Sequence, residues 1–132
     1  MEKKYDTGLG NNEIKFEIAI GTVGLAYTKV HFKNKDGHFT IIKESSANSG
    51  NIPKIMIGMS NELKEASLAI ITTLDFSFLP VKERELAISK LSIKYILSGG
   101  FSGNYSFGFD PDDLIASDNN KIVTVSKAIF LT

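Results

Sequence analysis

Ser67-Leu68-Ala69-Ile70-Ile71-Thr72-Thr73-Leu74-Asp75-Phe76-Ser77-Phe78-Leu79-Pro80 alternates apolar with small or polar side chains through most of its length. Leu68, Ile70, Thr72, Leu74, Phe76 and Phe78 share one parity, while Ser67, Ala69, Thr73, Asp75 and Ser77 fill the other. Successive strand side chains point to opposite faces, so the stretch predicts a long strand, stopped by Pro80, with one buried and one wetter face. Asp75 interrupts the run from the wetter parity, as an outward group or a cross-strand partner for a lysine.

Outward from this stretch, the same alternation predicts strands over 14–21, 25–33, 39–44, 52–59, 103–109 and 121–131. Residues 81–98 admit two readings. Pro80 followed by acidic residues resembles a helix start, whereas Leu86 and Ile88 on one parity, then Leu91, Ile93, Tyr95 and Leu97 on the other, fit one strand with a bulge near Ser89. The bulged strand is the preferred reading. Eight strands separated by turn residues, with no helix suited to a βαβ crossover, predict an all-β fold. The expected form is an antiparallel β-sandwich of about eight strands, jelly-roll-like or immunoglobulin-like, with an eight-stranded closed barrel as the alternative. Residues 1–12 read as a flexible N-terminal arm and 13–132 as a single domain.

Asn34-Lys35-Asp36-Gly37 marks a hairpin between the second and third strands. A loop of two or four residues would place Val30 and Phe32 on one face with Phe39 and Ile41, and burial favours that register. His31 and His38 then share the opposite face. Two histidines without a cysteine are too few for a catalytic zinc site, and they read as surface residues.

Fifteen basic residues balance fifteen acidic ones, and Arg84 is the single arginine. Phosphate backbones are bound through a local excess of Lys and Arg, so a nucleic-acid partner is not expected. The absence of cysteine excludes disulfides, thiolate metal sites and thiol nucleophiles. No window reaches the ~20 apolar residues of a membrane-spanning helix, and the opening residues lack a leader's apolar core. A cytoplasmic location is the expectation.

Ser98-Gly99-Gly100-Phe101-Ser102-Gly103-Asn104 is glycine-rich, but it leads into a strand and carries no Gly-Lys-Ser/Thr, so it reads as a hairpin turn and not a phosphate loop. Phe101, Tyr105, Phe107 and Phe109 share a parity and form an aromatic row. Buried, the row would be core; exposed, it could stack on sugar rings, with Asn104 beside it. Asp110, Asp112 and Asp113 are the densest carboxylate cluster and could seed a calcium site, although the spacing is not that of an EF-hand and also fits an Asp-Pro turn capping a helical turn at Leu114-Ile115-Ala116. Lys82-Glu83-Arg84-Glu85 reads as a solvated charge run. No nucleophile elbow or paired-acid signature points to catalysis.

Ile41-Ile42 and Ile70-Ile71 place apolar groups on both parities, so Ile42 and Ile71 are candidates for self-association. The sequence therefore suggests a non-catalytic module that binds another protein or further copies of itself. A carbohydrate-binding module, with calcium as a possible aid, is the alternative.

Overall fold

A computed structural model describes residues 3–132 as a two-layer β-sandwich, not a closed barrel. Ten strands contribute: β1 (Lys3–Tyr5), β2 (Glu13–Gly21), β3 (Leu25–Lys33), β4 (Phe39–Glu44), β5 (Ile52–Met59), β6 (Ser67–Asp75), β7 (Ser92–Ser98), β8 (Tyr105–Phe107), β9 (Leu114–Ala116) and β10 (Ile122–Leu131). The larger sheet has the order β1-β10-β6-β3-β4, with β9 also pairing β10; the smaller has the order β5-β2-β7-β8. Pairings between these strands are antiparallel except β1 with β10, which is parallel.

The central strand β6 follows the parity rule. Leu68, Ile70, Thr72 and Leu74 are buried, as is Phe76 just beyond it, while the alternate residues from Ser67 to Asp75 stay half-buried on the outside. Opposite this row lie Ile14, Phe16 and Ile18 of β2 and Ile93, Tyr95 and Leu97 of β7, all buried. Fully burying a side chain of this size contributes roughly 1.5–3 kcal/mol. Thr72 fits the row because its hydroxyl meets that of Thr28 at 3.1 Å across the strand pair.

Several expectations are corrected. The strand does not run on to Pro80: it ends at Asp75, whose carboxylate accepts the Ser77 N–H at 2.8 Å and turns the chain, leaving Phe78 exposed. Residues 81–98 are not one bulged strand but helix α1 (Val81–Ser89) followed by β7. Arg84 decides this locally. Its guanidinium donates to the carbonyls of Leu79, Asn119 and Ser77 at 3.0, 3.1 and 3.2 Å, tying the helix to the chain before it and to the turn leading into β10. It is thus a buried structural cation, only 9% exposed, and not part of a solvated run.

The hairpin register also differs. Residues 34–38 form the loop, so Phe32 faces Thr40, and Phe39 and Ile41 pair with Lys33 and His31. The Asn34 side chain accepts the N–H groups of Asp36 and His38 and organises that loop. Strand β4 is a free edge with every residue exposed, so burial exerts no pull on its register. His31 remains outward on β3, whereas His38 lies in the loop.

Of the stretch read as an arm, residues 3–12 are tied in. Tyr5 is fully buried, donates to the Gly103 carbonyl at 2.7 Å and accepts the Gly100 N–H at 2.9 Å. The expected helical turn at 114–116 is strand β9, and the turn precedes it as a short 3-10 helix at Pro111–Asp113.

Candidate functional site

The outer face of the larger sheet carries no covering element among the described residues, and its side chains are half-buried or exposed. Register fixes how they line up. Phe130, Ser67, Lys33 and Phe39 form one row across β10, β6, β3 and β4; Ala128, Ala69, His31 and Ile41 form the next; Ser126, Ile71, Lys29 and Glu44 form a third. Ile115 of β9 stands beside Thr124 and is 73% exposed.

Small side chains at Ala69, Ser126 and Ala128 leave a shallow groove of about 470 Å³, walled by Ile71 and Phe130 and reached by Asp113. Around it the face is mixed. Lys33 lies over the Phe39 ring at 5.4 Å. The Tyr27 hydroxyl donates to Glu44, which Lys29 approaches at 3.9 Å. That hydrogen bond to a carboxylate is the main reason the Tyr27 phenol titrates above its usual range.

The candidate residues fall in different places. Ile71 lies in the groove, whereas Ile42 is the extra residue of a β-bulge on β4, where His31 pairs with Ile41 and Val30 already with Lys43. The aromatic row does not persist as one surface, because the strand there is only Tyr105–Phe107. Phe101 sits in a turn, 80% exposed, beside Gly8, Leu9 and Lys64. Tyr105, also exposed, leans on Phe107 at 5.3 Å, and Phe107 stacks on buried Tyr95 at 5.5 Å. Phe109 is half-buried against the core, and Asn104 is exposed.

Asp110 and Asp113 face a cation from the protein itself. Lys127 of β10 lies on the inward parity with Val123, Val125, Ile129 and Leu131, and is only 2% exposed. Its ammonium is 2.7 Å from Asp110 Oδ2 and 2.8 Å from Asp113 Oδ2. Burial pulls the Lys127 pKa down, but the two aspartate hydrogen bonds outweigh it and the net direction is upward. The hydrogen bond from Lys127 leads the causes that hold the Asp110 carboxyl below the usual range. Asp112 is exposed, and among the described residues no three acids or histidines gather as a metal site.

Tyr95 borders this cluster. Its hydroxyl is buried with no partner among the described residues, and burial, aided by the Asp113 charge, drives its pKa far up. A buried hydroxyl without a partner costs stability, so Tyr95→Phe should leave the protein as stable or raise it by about 1 kcal/mol. Chemical denaturation of the two proteins side by side checks this.

Sequence reading passed over Lys127, although a lysine on the apolar parity of β10 is a visible signal. The groove floor was less accessible, since Ala69 and Ala128 become neighbours only through the pairing of β6 with the distant β10. Among the described residues, no helix is long and apolar enough to cross a membrane. Comparison with protein families, with curated proteins and with solved structures gives no match to this chain.

Proposed function

We propose that this chain is a non-catalytic assembly module that associates with a second copy of itself through the outer face of its larger sheet. The observation that carries the reading is the pairing, on one face, of a small-residue groove at Ala69, Ser126 and Ala128 with projecting apolar groups at Ile115 and Phe130. A two-fold contact needs one self-complementary patch, with knob and hole on the same surface.

Two further features favour face-to-face contact, and the area of the face sets its strength. The free edges β4 and β5 both carry register shifts, and β5 also holds Pro53, devices that discourage edge pairing. Zero formal net charge offers little long-range repulsion between copies. Five strands about 4.8 Å apart, with residues about 3.4 Å apart along each, make a face of roughly 500 Å². Two such faces bury on the order of 1,000 Å², the lower limit for a specific contact, so the dimer should be weak and concentration-dependent.

Sedimentation equilibrium over a wide concentration range tests this. The expected result is a reversible shift from the 14.5 kDa monomer toward a dimer. Ala128→Arg, which fills the groove with a charged side chain, should weaken the dimer at least tenfold, about 1.4 kcal/mol. Ile42→Lys, on the β4 edge, should leave it unchanged. A monomer at every concentration, or a dimer lost with Ile42→Lys and kept with Ala128→Arg, would overturn the proposal.

A further inference from the structure

Lys127 is the lysine that breaks the apolar inward row of β10, and its side chain is 1% exposed. A solvated surface pair would do nothing more than attract. Here the amine and two carboxyl groups are locked within hydrogen-bond distance, walled by the Phe107 ring 5.9 Å from Lys127 Nζ and by Tyr95 stacked behind that ring. The aspartate hydrogen bonds favour the ionised trio, so the neutral amine and acid that react are reached by proton transfer within it, over distances of 2.7 and 2.8 Å. Fixed apposition of reacting groups supplies effective molarities on the order of 10⁵–10⁸ M.

The geometry points to an intramolecular amide between Lys127 Nζ and Asp113 Cγ, with Asp110 carrying the protons. Asp113 is the better electrophile because its side chain is more buried than that of Asp110, and its Oδ2 already accepts the Asp110 N–H at 2.7 Å. That N–H is placed to stabilise negative charge developing on Oδ2. Asp110 Oδ2, 2.7 Å from Nζ, is placed to accept a proton from nitrogen.

The step balances without a co-reactant. The ammonium passes one proton by way of Asp110 to Asp113 Oδ1, leaving a neutral amine and a neutral acid. The nitrogen lone pair attacks Cγ, forming the C–N bond and placing charge on Oδ2. The nitrogen then releases a second proton to Asp110. As the Oδ2 charge collapses to restore the C=O bond, the Cγ–Oδ1 bond breaks and Oδ1 leaves as water with the proton from Asp110. An amide, a water molecule and the Asp110 carboxylate remain. The bond would fasten the Pro111–Asp113 turn to β10 covalently.

The test is the intact mass of the folded, purified chain, measured after denaturation. The expected mass falls one water short of the sequence mass, and peptide fragmentation places the link between Lys127 and Asp113. Lys127→Arg and Asp110→Asn should each restore the full mass, with native circular dichroism confirming that the variants fold. A wild-type chain at its full sequence mass overturns the inference whatever the variants do. So does a missing water that persists in Lys127→Arg, and a link through Asp110 overturns the assignment of roles.

Discussion

Arg84→Ala should lower stability by about 3–5 kcal/mol, a large share of the total for a domain of this size. The guanidinium serves three carbonyls from two separate places in the chain, Ser77 and Leu79 just before α1 and Asn119 in the turn before β10. Hydrogen bonds to a charged group contribute about 1.5–3 kcal/mol each, and solvent reaching the part-buried carbonyls would recover some of that sum. Urea denaturation should show the midpoint falling with little change in slope. Arg84→Met retains most of the apolar stem and should be nearly as damaging as alanine, since the hydrogen bonds and not the packing carry the effect. Arg84→Lys should recover less than half, because a compact ammonium cannot span three acceptors held apart by a planar fork. A loss below 1 kcal/mol in Arg84→Ala would show that α1 is held mainly by other contacts.

Gly99→Ala is the second large effect, expected to exceed about 4 kcal/mol or to prevent folding. Gly99 has a φ of +97°, and an added Cβ would come within 1.9 Å of the Glu13 carbonyl oxygen. That carbonyl belongs to β2, which is paired on both sides by β5 and β7, so relief requires moving a central strand. Gly103 is the control. It also has positive φ, at +69°, but no atom lies within 4 Å of the added carbon. Gly103→Ala should cost only the conformational penalty of about 1–2 kcal/mol. Equal losses at the two positions would mean that backbone conformation, and not the approach to Glu13, governs Gly99. Within the glycine-rich run, Gly99 is accounted for by this close backbone contact and Gly103 by its positive φ.

The legible parts of the fold were those in which one side of a strand is forced into the core. In β6 the parity row from Leu68 to Leu74 is buried, as is Phe76 just beyond it, and even Thr72 conforms because Thr28 meets it; only Phe78, past the strand's end, is exposed. Legibility failed where burial does not act or where the deciding partner is remote. Strand β4 has no buried side chain, so nothing in its hydrophobic pattern could set its register. Helix α1 has little apolar periodicity of its own, and the Arg84 bond to Asn119 is invisible to a local window. The outer-face groove presents the same difficulty: Ala69, Ser126 and Ala128 are individually unremarkable, and only the β6–β10 register makes them a floor. Ile71 was identified as a candidate from its own doublet, but the partners that give it a surface could not be. Lys127 differs from these, because its place on an apolar parity is local information.

The parallel pairing of β1 with β10 has a mechanical consequence. Lys3 lies beside Ile129 and Tyr5 beside Leu131, and the ladder is continued by hydrogen bonds from Thr132 N to Tyr5 O and from Thr7 N to Thr132 O, both 2.9 Å. Tension applied between residues 3 and 132 would drag these two strands in opposite directions along their shared axis. Their hydrogen bonds would then be loaded together in shear and not opened one after another from an end. The sandwich should accordingly resist being drawn out by its first and last strands more strongly than its short β1 ladder would suggest, with the unfolding rate under load setting its endurance.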